Sequence, residues 1–165
     1  MQDMDLDLIK DACDRLLTGL YLLSAQHDGA RAGTLALGVH QCAAVPILLC
    51  VPVRRGHRIE PLIRDSRHFA VGTVDPADRL LRRRFEDHPS AEEHHDPFDA
   101  LPVLSLGWRS PVLRSSALAF DCEVVRHIDM DADHELYIGK VLSARIHGEP
   151  PALQRASEIG PLHYD

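Results

Sequence analysis

The chain has 165 residues, with 25 acidic and 18 basic side chains and a net charge of −7 when histidine is neutral. That length suits one domain, residues 1–165, with a sizeable core, and the acidic balance excludes a general basic field for nucleic acid. The longest apolar run, Cys42 to Val53, is broken by Pro46 and Pro52 and is too short to cross a bilayer, so no membrane association is expected.

The opening MQDMDLD is acidic and has no apolar centre, so no secretory signal is expected. Cys13, Cys42, Cys50 and Cys122 show no CxxC pairing, which points to a cytoplasmic, reducing location without a disulfide framework. Residues 3–17 predict an N-terminal helix: Leu6, Ile9, Cys13 and Leu16 recur at three- and four-residue spacing. Leu20 to Gln26 reads as a strand, and Asp28-Gly29 as the turn of a hairpin.

The next stretch, Gly33 to Val53, organises the rest. It reads as a strand, a polar bend at His40-Gln41, and a second, wholly apolar strand. Thr34, Ala36 and Gly38 are small residues where backbone could approach a flat ligand. The cationic turn Arg54-Arg55-Gly56-His57-Arg58 follows, and suits a phosphate because Arg offers a planar fork of donors and a turn exposes backbone N–H groups. This segment reads as the floor and phosphate end of a cofactor site, or as a buried hairpin with a solvated basic loop.

Gly56 to Ser66 shifts to helical spacing, with Ile59, Leu62 and Ile63 on one face. His68 to Val74 reads as a strand. Asp75 is expected to cap a second helix with Pro76 at its first position, followed by the stripe Leu80, Leu81 and Phe85. Residues 86–111 form an acidic, His-rich loop, after which Val112–Arg114 is extended. Ala117 to Ile128 and His134 to His147 read as long strands, with Gly139 a bulge or point of close approach. Six or seven mostly antiparallel strands with three marginal helices predict a mainly β protein, a closed or nearly closed barrel.

No GxGxxG, Walker A loop or GxSxG elbow is present. Asp129, Asp131, Asp133 and Glu135 imitate the start of a calcium loop, but His134 and Lys140 stand where that loop needs Gly and Glu. His88, His94 and His95 sit among carboxylates without a standard ligand spacing, so a metal site and a solvated polar loop both remain open. His134, after two acids and before an apolar strand, reads as a polar group at a pocket rim or as a surface turn histidine.

Taken in order, several segments resemble the flavin reductase-like family of FMN-binding split β-barrels. They are residues 19–25 with the turn Asp28-Gly29, Gly33–Val51, Pro61–Ser66, Phe69–Val71, Leu81–Phe85, Ala119–Val125 and, most specifically, His134–Val141. The resemblance implies a homodimer that binds FMN or FAD near its interface. It also implies oxidation of NAD(P)H by hydride transfer to flavin N5, and supply of reduced flavin to a monooxygenase partner. It places Thr34, Leu35, Ala36, Leu37 and Gly38 along the flavin, with His40 and Gln41 in the following bend. Arg55, His57 and Arg58 fall at the phosphate or ribityl end, and His134 is the catalytic histidine on the nicotinamide side; no resident metal is implied. Leu37-Gly38 stands where the family has Asn-Ser, Gly72 where it often has Asn, and only His163-Tyr164 remains of its C-terminal Gly-x-Tyr. These departures keep open a non-catalytic module that binds flavin or another flat ligand, with a metal-binding protein using His88, His94 and His95 as a third reading.

Overall fold

The computed structural model describes residues 2–86, 95–108 and 110–160. Helix α1 (Gln2–Asp14) comes first, with Leu6, Leu8 and Ile9 exposed. Strand β1 (Leu17–Thr18) is short and pairs with Gln154–Arg155. Strands β2 (Leu20–His27) and β3 (Ala30–Ala36) form the expected hairpin, and Asp28 and Gly29 have φ of 48° and 79°. Two successive positive φ values are what a tight turn needs to match strand twist, and Asp and Gly tolerate them.

The next two strands are β4 (His40–Ala44) and β5 (Ile47–Arg54). The bend expected at His40-Gln41 lies instead at 37–39, where Gly38 has φ of 72°, and His40 and Gln41 already belong to β4. The apolar run beyond them is not one strand: Val45-Pro46, a cis peptide, turns it back into a hairpin. Helix α2 (Ile59–Ser66) then buries Ile59 and Ile63.

Strand β6 (His68–Val74) is buried at every position, and helix α3 (Arg79–Phe85) follows. The cap of α3 is Asp78, not Asp75: the Asp78 carboxylate accepts from Leu81 N at 3.0 Å, while Asp75 accepts from Ala77 N at 2.9 Å and shapes the preceding turn. Short strands β7 (Val103–Leu104) and β8 (Val112–Leu113) pair with each other. The long strands β9 (Leu118–Asp129) and β10 (His134–Ile146) follow, with register shifts at Ile138/Gly139 and Val141/Ser143. Strand β11 (Gln154–Arg155) and helix α4 (Ala156–Ile159) close the described chain.

Seven strands form one antiparallel sheet in the order β3-β2-β6-β9-β10-β5-β4. The sheet curls until β3 approaches β5, giving the mainly β split barrel. Its interior holds Leu23, Ala32, Val51, Val53, Phe69, Val71, Cys122 and Tyr137, and α2 closes it with Ile59 and Ile63. A second apolar cluster lies outside the barrel wall, where Leu20, Leu22, Leu35 and Val74 meet Phe85, Phe98, Leu113 and Ile159. Strand β6 is therefore buried on both faces, which explains its unbroken apolar run.

Candidate functional site

Strand alternation divides the expected cradle. Thr34 and Ala36 share the face of Ala32, which points into the barrel, whereas Leu35 and Leu37 belong with the outer cluster. Thr34 is 7% exposed. Gly33 is backed by the chain's own aromatics, since a Cβ there would stand 2.8 Å from Phe85 and 3.0 Å from Phe98. The backbone first opens at Gly38, whose N–H donates to Thr18 Oγ1 at 3.1 Å and where the only atom near a Cβ position is His40 Nε2 at 3.9 Å. His40 and Gln41 are exposed on β4, with His40 paired opposite Cys50.

The cationic turn is lashed to the tip of the β9–β10 hairpin. Arg54 pairs opposite His134, and Arg55 N donates to the Asp133 carbonyl at 2.9 Å. The Arg55 guanidinium donates to the Ala132 carbonyl at 3.0 Å, ion-pairs with Asp129, and lies 3.3 Å from Glu135. His57 Nδ1 accepts from Ile59 N at 3.0 Å, so it serves the start of α2. Arg58 is exposed, and its guanidinium reaches the His95 carbonyl at 3.5 Å. His134 Nδ1 lies 3.2 Å from Asp133 Oδ1, with its side chain 19% exposed. Arg54–Arg58 and His134 therefore share one end of the barrel. His40 sits four residues back along β5, about 13 Å at the usual strand rise. Thr34 to Ala36 lie within the wall, away from this surface.

A carboxylate pair that no motif announced lies beneath this end. Glu60, in the first turn of α2, accepts from Gly56 N at 2.8 Å and faces Glu135. Glu135 Oε2 is 2.6 Å from His127 Nε2, and His127 stacks on Tyr137 with ring centroids 4.4 Å apart. Burial, then Glu135, holds the Glu60 carboxyl above the ordinary range. Burial also pushes Glu135 up, but Glu60, His127 and Arg55 outweigh it and hold Glu135 low. Of the two carboxyls Glu60 therefore takes up a proton first as pH falls, and a proton there would let the two facing acceptors share a hydrogen bond. A raised carboxyl pKa stabilises the fold below the unfolded value and loses that contribution as pH rises through the folded value. Glu60→Gln should therefore raise the thermal midpoint at pH 7 to 8, with the gain vanishing near pH 4. Thermal melts across that range check it, and a gain confined to acid pH would contradict the assignment.

Two expected departures now have a structural form. Leu37 packs on the outer cluster. At Gly72 a Cβ would stand 2.7 Å from Ser116 Oγ, so a larger side chain has no room there; Ser116 is 2% exposed and its hydroxyl has no partner among the described residues. His88 and His94 fall outside the described residues, His95 is exposed, and no cluster of metal-ligating side chains occurs among the described residues. No described helix is long and apolar enough to cross a membrane.

The family model for the flavin reductase like domain matches residues 13–164. Diflavin flavoprotein A 1 of Synechocystis is 26% identical over 149 residues, 88% of this chain but 25% of that protein, so the chain spans about a quarter of the length of this relative. The NADH:FAD oxidoreductase of Streptomyces globisporus C-1027 superposes with a TM-score of 0.78 at 18% identity, covering 92% of this chain and 90% of that one. The styrene monooxygenase flavin reductase of Pseudomonas putida S12 gives 0.73 at 22% identity, covering 90% and 93%. At these identities the structural matches speak for the fold, and the family match over nearly the whole length speaks for descent: the chain belongs to the flavin reductase-like domain family.

Proposed function

We propose that the chain is an NAD(P)H-dependent flavin reductase that takes FMN or FAD and hands the reduced flavin to a monooxygenase partner. The observation that carries this reading is the junction of the cationic turn with His134, built by the pairing of β5 and β10 inside a flavin reductase-like barrel. The residues fit a flavin at two places. Gly38 and Gly56 have φ of 72° and 81°; Gly38 is half-buried with only His40 Nε2 near its Cβ position among the described residues, and Gly56 is exposed with nothing within 4 Å of its own. Arg58 offers an exposed guanidinium beside that turn.

A bound flavin supplies the hydride acceptor; the chain supplies the rest. Arg55, held by Asp129 and Glu135, fixes the turn. Arg58 binds phosphate, and the backbone of Gly38 with the exposed His40 and Gln41 meets the ring system. His134, oriented by Asp133, steadies the nicotinamide side. A second copy of the chain completes the site as a homodimer, for which exposed Val45 and Ile47 on the β4–β5 hairpin and Leu142 and Ile146 on β10 offer apolar surface. Light scattering at micromolar concentration should return twice the chain mass, and a monomer would remove that part of the reading.

The experiment is direct. Protein desalted after addition of FMN or FAD is examined for a retained flavin spectrum, and NADH and NADPH consumption is then followed with each flavin. Oxidation of either nicotinamide establishes the reductase. Flavin binding without oxidation leaves the binding module, which the apolar setting of Leu37 and the covered Gly72 favour. Arg58→Ala should weaken flavin affinity about tenfold or more, since a charge-assisted hydrogen bond contributes about 1.5–3 kcal/mol, with the loss shrinking as salt rises. Unchanged affinity by fluorescence titration would take Arg58 out of the phosphate site.

A further inference from the structure

We propose that Cys42 and Cys50 form a peroxide-sensitive dithiol, closing reversibly to a disulfide across the β4–β5 hairpin. The cysteines lie on adjacent strands, Cys42 exposed and Cys50 half-buried. The register passes from Gln41↔Leu49 to Ala43↔Leu48, so Cys42 is the extra residue of a bulge. The bulge leaves its thiol unpaired by the ladder; it donates to the Leu48 carbonyl at 3.6 Å. Cys50 stands opposite His40, two residues before Cys42 on the facing strand, which puts the two thiols at neighbouring positions of the hairpin. Burial first, and then Cys42, push the Cys50 thiol up, so Cys50 is the slower partner to ionise. A cross-link here would tie the edge strand to β5 beside the exposed His40 and Gln41.

The other cysteines lack this setting. Cys13 is alone on exposed α1, and Cys122 is buried, with its thiol pushed up to about 12 by burial and Asp121. The more exposed Cys42 reacts first. Its thiolate attacks the O–O bond of hydrogen peroxide, forming a sulfenic acid and releasing hydroxide, which is protonated to water. The Cys50 thiolate then attacks the Cys42 sulfur, the S–S bond forms, and the second oxygen leaves as water. Two thiols and one peroxide thus give one disulfide and two waters. The source of peroxide rests on the reductase reading, because reduced flavin released into air passes its two electrons to oxygen; the thiol chemistry does not.

The test uses the full chain carrying Cys13→Ser, reduced and desalted without oxygen. In the first arm, stoichiometric hydrogen peroxide is added without flavin or nicotinamide. Cys42 and Cys50 should together lose maleimide reactivity, the tryptic peptide 32–54 should lose the mass of two hydrogens, and dithiothreitol should restore both thiols. In Cys42→Ser the same peptide should gain oxygen and lose no hydrogen. Persistent labelling of both thiols after peroxide, or a peptide 32–54 that gains oxygen without losing two hydrogens while Cys42 and Cys50 are both present, would overturn the pair. In the second arm, nicotinamide and flavin in air replace the peroxide, and catalase should block oxidation. Closure in the first arm without closure in the second would leave the dithiol standing and remove the reductase as its peroxide source.

Discussion

Gly139→Ala should destabilise the protein by about 1–3 kcal/mol, the usual range for forcing a group into a close-packed core. In the protein, an added Cβ would stand 2.5 Å from Phe69 Cζ and 2.7 Å from Cys122 Cβ, and both neighbours are fully buried. Ala is otherwise the better strand residue, because glycine carries roughly 0.5–1 kcal/mol of extra backbone entropy. At 2.5 Å the steric cost wins, since the Phe69 ring is hemmed in by the barrel interior and Cys122 Cβ is anchored to backbone. The thermal midpoint should fall by about 2–4 °C per kcal/mol for a chain of this size. A double-mutant cycle identifies the clash. Phe69→Leu clears the ring atoms, so the double variant should be less destabilised than the sum of the singles, by about 0.5–3 kcal/mol. Additive losses would mean that the ring is not what the new methyl meets.

That glycine was legible in the sequence because a lone Gly inside a long alternating run marks a bulge or close approach, and β10 has its register shift at Ile138/Gly139. The Asp28-Gly29 turn and β9 were legible for similar local reasons. The bend at 37–39 was not. Cys42 to Val53 is apolar throughout, and a hairpin lying on the barrel cannot be told from one strand by hydrophobicity when only Pro46 marks the turn. The expected cradle at Thr34–Gly38 runs from the end of β3 into the bend, and strand alternation divides it: Thr34 and Ala36 turn inward while Leu35 and Leu37 turn outward, which a reading along the sequence alone does not separate. The Asp75 cap competed with Asp78 three residues later, and only the placement of the first helical turn decides between them. The Glu60–Glu135–His127 group was beyond reach, because α2, β9 and β10 meet only through the sheet order. Its sole local hint was Glu135 beside His134.

His134→Ala should slow nicotinamide-to-flavin hydride transfer about tenfold to a hundredfold while changing flavin affinity less than threefold, the smaller end of what a positioned side chain contributes to a chemical step. The asymmetry follows from placement. Arg55 is fixed through Ala132, Asp129 and Glu135, none of which involves the His134 side chain, so the cationic turn should keep its shape in the variant. The imidazole instead stands at the start of β10, oriented by Asp133 at 3.2 Å and partly open to solvent. Asp133 is held low first by its hydrogen bond to His134, so the two side chains are coupled. Asp133→Asn should therefore give a weaker version of the same defect, because the imidazole loses the carboxylate that orients it. Stopped-flow measurement of flavin bleaching separates hydride transfer from binding, and fluorescence titration gives the affinity. Equal losses in both would place His134 in flavin binding. Normal bleaching in His134→Ala would make it a surface turn histidine and leave the nicotinamide side without an assigned residue.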